Sequence, residues 1–166
     1  ELGEDQRDEF WTDITRPLKL LRWRLATVPV PVSDPCIDVA GVAERLSPQL
    51  RSCVQFRPSA AEHVRVLSEL LLELATCDDD PLGDSVRALG AGQTGCAVLL
   101  RDGSMLDPVA RALGPDCSLV TAPQLMRTRA EHVIAVGPCA WFPPELLRAP
   151  RARTISFTYF GWLRDW

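Results

Sequence analysis

Several residue types that enzymes depend on are scarce in this chain. Its 166 residues include no asparagine, and its 18 basic residues are seventeen arginines and the single lysine Lys19. The only histidines are His63 and His132. A catalytic lysine therefore has one candidate, and a histidine triad or a multi-histidine metal centre is poorly supplied. The leading expectation is a protein without a catalytic residue, a metal site or a cofactor.

Close cysteine pairs are also missing. The six cysteines stand at positions 36, 53, 77, 96, 117 and 139, and none forms a C-x-x-C pair. Zinc sites draw ligands from such pairs, so buried, reduced thiols in a cytoplasmic protein are expected instead. Cys139 follows a Gly-Pro loop and is the one cysteine placed like a nucleophile. His132 lies at the other end of the same predicted strand, which favours a structural role for Cys139.

Long apolar runs and a strong charge of either sign are absent as well. The longest apolar stretches are Ala97–Leu100 and Val133–Val136, far short of the ~20 residues that a membrane helix needs. The net charge of -4 provides no overall attraction to nucleic acid or to an anionic membrane. Because the first residue is Glu1 and not methionine, the chain is expected to be a piece of a larger protein. The expected partner is the remainder of that protein or a separate protein chain, and no membrane contact is expected.

The first ninety residues carry helical patterns. Apolar residues at three- and four-residue intervals predict a helix over 5–26, in which Pro17 should cause a kink or a restart. A shorter helix is predicted over 38–50, and a longer one over 59–75. Asp80-Pro81 then opens a helix that ends at Gly90. Residues 1–90 are thus predicted to form a helical region.

A glycine-rich segment marks the change from helices to strands. Residues 90–95 match the dinucleotide-binding pattern G-x-G-x-x-G, with glycines at Gly90, Gly92 and Gly95. In nucleotide-binding folds these glycines follow a strand and open a helix, whereas here they follow a helix and precede a strand. The segment therefore predicts a joint between the helical region and an α/β region over 91–166.

Alternating strands and short helices follow this joint. The strands are predicted over 96–101, 117–121, 132–137 and 154–159. They are apolar on both faces, which is typical of a parallel sheet that helices cover on both sides. The sequence predicts an α/β fold with a small four-stranded, mainly parallel sheet, RecA-like or Rossmann-like, and the helical region packed on it as one structural unit.

The loops after the predicted strands offer candidate ligand-binding residues, because ligands of open parallel sheets bind beyond the carboxyl ends of the strands. Asp102 and Ser104 follow the first strand, and Thr121 ends the second. These three residues are the candidates for binding a cofactor, a nucleotide or a phosphate group. The favoured interpretation is that Ser104, with Asp107 three residues later, and Thr121 cap the short helices that follow.

Aromatic residues and arginines alternate near the C-terminus. The candidate interaction residues there are Trp141, Arg148, Arg151, Arg153, Tyr159 and Trp162, and Arg164 and Trp166 extend the pattern. Such a segment can close the core, form a protein interface, or stack on single-stranded nucleic acid. The alternation of Phe157 and Tyr159 with polar residues along a strand favours a core role for part of it.

The order of strands and loops resembles a known family. The segments Val98–Leu100, Ser118–Thr121, His132–Gly137, Trp141–Pro144, Arg148–Ala152 and Ile155–Phe157 are similar to the second RecA-like domain of superfamily 2 helicases, over residues ~95–160. A fainter likeness extends to helicase-like components of bacterial anti-phage defence systems. The Q-x-x-G-R-x-x-R motif of that domain is missing, so the resemblance implies a domain that does not hydrolyse ATP, or one piece of a larger protein, and transfers no catalytic residue.

Three functions follow as expectations. The first is a non-catalytic α/β interaction module of a larger bacterial assembly, with a role in defence or nucleic-acid handling. The second is a nucleotide- or phosphate-binding enzyme domain that uses the strand-end loops. The third is binding of single-stranded nucleic acid by the C-terminal segment.

Overall fold

The chain forms two compact units in the computed structural model, which describes residues 4–56, 58–115, 117–148 and 151–163. The first unit comprises Glu1–Arg24 and Val32–Asp79, and the second comprises Leu25–Pro31 and Asp80–Trp166. None of the helices in the described ranges is long and apolar enough to cross a membrane.

Three α-helices form the described part of the first unit, and the last residues of the first of these helices belong to the second unit. They are α1 (Glu4–Thr27), of which residues up to Arg24 belong to the first unit, α2 (Val39–Phe56) and α3 (Ala61–Ala75). Helix α1 is continuous through Pro17, so the predicted restart is wrong. Helix α2 extends six residues beyond the predicted end at Leu50 and contains Pro48. Helices α2 and α3 pack against each other, with Leu46, Leu50 and Leu71 buried.

The start of α2 combines an aspartate, a glycine and an arginine at fixed spacing. Asp38 precedes the helix with a φ of +66° and accepts a hydrogen bond of 2.7 Å from Arg45 Nη2. Its Oδ1 lies 2.0 Å from the position that a Cβ on Gly41 would occupy. A side chain at position 41 would therefore displace the carboxylate, and only glycine leaves it room.

The start of α4 (Pro81–Gly90) in the second unit repeats this arrangement. Asp80 Oδ1 accepts a 2.8 Å hydrogen bond from the Gly83 amide, as an N-cap does, and Oδ2 accepts one of 2.9 Å from Arg87 Nη2. A Cβ on Gly83 would lie 1.9 Å from Asp80 Oδ2. The cap at Asp80-Pro81 and the end at Gly90 are as predicted, and each unit thus contains the pattern Asp-x-x-Gly-x-x-x-Arg at the start of a helix.

Four strands and three further helices follow α4 in the second unit. In chain order they are β1 (Cys96–Leu100), α5 (Leu106–Leu113), β2 (Ser118–Thr121), α6 (Ala122–Leu125), β3 (Ala130–Val136), α7 (Pro144–Arg148) and β4 (Ala152–Thr158). Gly92 and Gly95, between α4 and β1, have φ values of +73° and +66°. The glycine segment therefore links α4 to β1 within the second unit, and its glycines adopt a conformation that other residues rarely adopt.

The sheet has the strand order β2-β1-β3-β4, and every neighbouring pair is parallel. This confirms the predicted α/β class with a small four-stranded parallel sheet. Strands β3 and β4 begin two residues earlier than predicted, because Ala130 pairs with Ala152 and the Ala130 amide donates a 3.0 Å hydrogen bond to the Arg151 carbonyl.

The core of the second unit lies on both faces of β1 and β3. On one face Leu99, Val133 and Ala135 pack with Leu125 of α6 and Leu146 of α7. On the other face α4 contacts β3 and β4, and the hydroxyl oxygens of Ser85 and Thr158 are 2.7 Å apart. Helices thus cover both faces, as a parallel sheet requires.

Candidate functional site

The strand order defines one edge where ligands of such sheets bind. The chain passes from β1 to β2 on one side and returns to β3 on the other side of β1. The carboxyl ends of β1 and β3 therefore flank the point at which the strand order reverses. The loops at this point are residues 101–105 and 137–141.

The candidate residues Asp102 and Ser104 lie in the first of these loops. The Ser104 amide and hydroxyl donate hydrogen bonds of 2.9 and 2.8 Å to Asp102 Oδ1, which starts the 3-10 turn Gly103–Met105. Asp102 therefore caps this turn, and the prediction that Ser104 caps the following helix is wrong, because Met105 is the residue at the N-cap position of α5. The Asp102 carboxylate also places a negative charge in the loop, which opposes the binding of an anion.

Thr121 comes close to this loop from the end of β2. A Cβ on Gly103 would lie 3.4 Å from Thr121 Cγ2. The amide and hydroxyl of Thr121 donate hydrogen bonds of 2.7 and 2.9 Å to Gln124 Oε1 at the start of α6. The sheet thus brings Asp102, Ser104 and Thr121 together, and each takes part in the local capping of a turn or helix.

Trp141 occupies the loop after β3. Gly137 has a φ of +127°, and a Cβ at that position would lie 3.0 Å from Trp141 Cε3. The Arg101 guanidinium lies 5.8 Å from the centroid of the same ring, within the range of a cation–π contact. Trp141 is half-buried beside the core, so it links the two loops at the reversal point.

The remaining aromatic candidates follow the carboxyl end of β4. Tyr159 is half-buried, and Trp162 is exposed and stacks on Phe160 with 5.7 Å between ring centroids. Phe157 lies 6.1 Å from Phe142 and belongs to the core, which agrees with the expected core role. Arg148 is exposed at the end of α7. Arg164 and Trp166 lie outside the described residues.

Arg151 and Arg153 lie at the opposite, amino end of β4. The seven residues of this strand separate them from Tyr159 by about 20 Å. Among the described residues, Arg151 and Arg153 are therefore far from the aromatic rings that follow β4. This separation does not favour a continuous binding path for single-stranded nucleic acid.

A cavity surrounds these two arginines. Its volume is about 630 Å³, and it is lined by Gly95, Arg129, Ala130, Glu131, Arg151, Ala152 and Arg153. Sequence reasoning missed Arg129 and Glu131 because the predicted strand began only at His132. The signal that was available is the matching Arg-Ala pair before both strands, Arg129-Ala130 and Arg151-Ala152.

A second cavity, of about 600 Å³, lies within the first unit between α2 and α3. We call it the α2–α3 groove, and its lining is Ala40, Ala43, Glu44, Ser47, Leu50, Arg51, Val54, Val64, Ser68, Leu71, Leu72 and Ala75. Sequence reasoning predicted both helices but not the groove, because the predicted second helix ended before Val54.

Exposed apolar side chains occur on both helices that line this groove. The exposed fraction is 66% for Leu72 on α3 and 36% for Val54 on α2. Leu70 and Val66, which are 48% and 41% exposed, lie on the opposite face of α3. Exposed apolar side chains that line a groove mark binding sites in soluble proteins.

The thiols form no site of their own. All six cysteines are free, and only Cys53 is buried, whereas the sequence predicted buried thiols throughout. Burial, followed by the neighbouring Cys117, raises the pKa of Cys96 above its usual range. Cys139 is exposed, while His132 at the start of β3 hydrogen-bonds through Nδ1 to Thr154 Oγ1. In the part of the chain that the structure describes, no three His, Cys, Asp or Glu side chains are grouped closely enough to hold a metal ion.

No protein-family model matches this chain, and neither a curated protein nor a solved structure is similar enough to match it. A fold alone does not identify a function, which depends on the two cavities and the strand-end loops.

Proposed function

We propose that the chain is a non-catalytic α/β interaction module of a larger bacterial assembly, and that it binds an amphipathic helix of a protein partner in the α2–α3 groove. The observation that carries the proposal is the exposure of Leu72 and Val54 on the two sides of this groove. Burial of apolar area against a partner is the main favourable contribution to most protein association.

The groove has the dimensions of a helix-binding site. Its lining residues on α3 run from Val64 to Ala75, a length of about 17 Å along the helix axis. Three to four turns of a partner helix match this length. Apolar residues at spacings i, i+3, i+4 and i+7 on the partner would then face the groove, which is the established manner in which grooves recognise helices.

The charges around the groove favour a helix with a mainly apolar contact face. Only Glu44 and Arg51 are charged among the lining residues, and they are of opposite sign. On α3, Arg65 pairs with Glu62 at 2.6 Å and with Glu69 at 2.7 Å. The charges of Arg65, Glu62 and Glu69 are thus already paired within α3. Apolar contacts are therefore expected to supply most of the affinity for the partner helix.

The wider assignment rests on the resemblance of residues 95–160 to the second RecA-like domain of superfamily 2 helicases. A domain without the ATP-contacting motif would act in such an assembly by holding other parts together. Its larger context would be defence or nucleic-acid handling.

Fluorescence anisotropy with a labelled amphipathic peptide of roughly 14 residues tests the groove. Leucines at i, i+3, i+4 and i+7 form the apolar face of this peptide, and a second peptide with the same composition in scrambled order serves as a control. We expect micromolar binding of the patterned peptide and at least about tenfold weaker binding of the scrambled one.

Leu72→Arg is the matched variant, because it places a charge in the groove at a side chain that is already exposed. Leu89→Arg is the control, since Leu89 is 41% exposed on α4 in the other unit. Leu72→Arg should weaken peptide binding at least about tenfold, and Leu89→Arg should leave it unchanged. Equal effects of the two variants, or equal binding of the two peptides, would contradict the proposal.

A further inference from the structure

The cavity at the amino edge of the sheet collects positive charge from two neighbouring strands. Ala130 pairs with Ala152, and His132 pairs with Thr154. Between these pairs Glu131 lies beside Arg153, and Arg129 and Arg151 stand just before the two strands. Glu131 and Arg153 therefore point to the same face of the sheet, and Arg129 and Arg151 line the same cavity as these two residues.

The arginines of this cavity form no ion pair with any carboxylate that the structure describes. Among the described residues, no carboxylate lies within 4.0 Å of the guanidinium of Arg129, Arg151 or Arg153. The Nε of Arg151 is buried and, within the same described set, has no hydrogen-bond partner. A buried donor without a partner costs free energy, so Arg151 is held at this position by the fold and not by an ion pair of its own.

The helix ends near this edge do not explain the charge. In a β-α-β unit the carboxyl ends of helices lie at the amino edge of the sheet, and their partial negative charge attracts arginines. The helices that precede β3 and β4 are α6, with 4 residues, and α7, with 5. Helices of one turn have small dipoles, so the partial negative charge at their carboxyl ends is too small to account for three arginines.

Charge and shape together point to one ligand chemistry. Three arginines and one glutamate give the cavity lining a net charge of +2. We propose that Arg129, Arg151 and Arg153 bind a phosphate dianion, either free phosphate or the phosphate group of a small phosphomonoester. Guanidinium groups match phosphate oxygens with two parallel hydrogen bonds each, and a volume of about 630 Å³ accommodates a small ligand.

Gly95 keeps this cavity open. It lines the cavity from the segment before β1, has a φ of +66°, and a Cβ there would lie 3.3 Å from Glu131 Cγ. A larger residue would press on Glu131 and narrow the cavity. The glycine segment that imitates a nucleotide motif in sequence thus contributes to a phosphate site by position and not by motif.

A small ligand is favoured over a nucleic-acid chain. The lining includes no aromatic side chain, so a base would have no ring on which to stack. The aromatic residues of the C-terminal segment lie at the far end of β4. The site is also independent of the α2–α3 groove, which belongs to the other unit.

Isothermal titration calorimetry with the full chain tests the proposal at pH 8, where a phosphomonoester carries about two negative charges. The probes are inorganic phosphate and phenyl phosphate, with a deoxythymidine oligonucleotide that has no terminal phosphate as the third. We expect at least one of the first two to bind with a Kd below about 1 mM. Equal binding of both identifies free phosphate as sufficient, and tighter binding of phenyl phosphate identifies a monoester. Both results support the site, whereas absence of heat with both probes overturns it.

Arg151→Gln should weaken phosphate binding at least about tenfold, since a hydrogen bond to a charged group is lost. Arg129→Gln should have the same effect. Because Arg129 is exposed, this variant tests the site without altering a buried side chain. Arg111→Gln on the exposed side of α5 is the control and should bind within about twofold of the unchanged chain. If Arg111→Gln weakens binding as much as the other two, or if the oligonucleotide binds more tightly than the phosphates through these arginines, the proposal is wrong.

Discussion

Gly137 shows how much of the loop geometry depends on a single residue. Its φ of +127° lies in a region that residues with a side chain rarely adopt, and a Cβ there would lie only 3.0 Å from Trp141 Cε3. The buried glycine therefore permits the close approach of Trp141 to the end of β3.

Gly137→Ala should lower the free energy of unfolding by about 1–3 kcal/mol, because it adds backbone strain and displaces Trp141. Urea unfolding followed by tryptophan fluorescence measures the change. Gly161→Ala is the matched control, since no heavy atom lies within 4 Å of a Cβ there, and should change stability by less than about 0.5 kcal/mol. A Gly137→Ala variant as stable as the control would show that Trp141 does not need this close approach.

Single residues also explain what sequence reasoning could reach at the candidate sites. Capping by Thr121 was predictable, because its partner Gln124 lies three residues further along the chain, whereas the cap of the turn after β1 is Asp102 and not the predicted Ser104. The arginine cavity was not predictable, because it unites residues from positions 95, 129 and 151–153 that only the strand register brings together. Hydrogen bonds between near neighbours can be predicted from a sequence, whereas contacts between distant segments depend on how the strands pair.

At the scale of elements, strand interiors were easier to predict than strand ends. The buried residues of β1 and β3 form continuous apolar runs, which identify a parallel sheet. The first residues of β3 and β4 are small or charged and are partly exposed, so composition alone assigns them to loops. Strand order also cannot be predicted from composition, because the apolar pattern of β1 is compatible with either β2 or β3 as its neighbour.

The stability of helix α3 depends on pH through an ion pair between its own side chains. The hydrogen bond from Arg65 lowers the pKa of Glu62 below its usual 4.5. The charged form is thus favoured in the folded helix, and this contribution to stability is present above pH 4.5. It is lost as the pH falls through the lowered pKa, when Glu62 takes up its proton.

Carbon-detected NMR titration of the Glu62 carboxyl measures this directly. We expect a pKa below 4.5 in the unchanged chain and a return toward 4.5 in Arg65→Gln. Arg51→Gln on α2 is the control, because the Arg51 guanidinium donates its hydrogen bond to Ser47 of the same helix. An unchanged Glu62 pKa in Arg65→Gln would show that the pair does not persist in solution.

At the scale of the whole molecule, the two proposed sites occupy different compact units. The α2–α3 groove lies in the first unit, and the arginine cavity lies in the second. Residues without shared partners usually contribute additively to the free energy. The two binding activities should therefore be independent.

Leu72→Arg should leave the phosphate affinity unchanged, and Arg151→Gln should leave the peptide affinity unchanged, each within about twofold. Calorimetry and anisotropy on the same two variants provide the measurements, and the double variant should show the sum of the single effects. Loss of both activities in either single variant would indicate that the substitution unfolds the chain or that the units are coupled.

The strand order has one more consequence, for the association of this protein with itself. Strands β2 and β4 form the edges of the sheet in the described part of the chain, and β4 is seven residues long. A long edge strand is a template on which a strand of another molecule can add, and a charged side chain on it opposes that addition. Arg153 places such a charge on β4, and this charge should disfavour aggregation independently of any ligand that Arg153 binds. Replacing Arg153 with a hydrophobic residue should therefore favour edge-to-edge association of the chain.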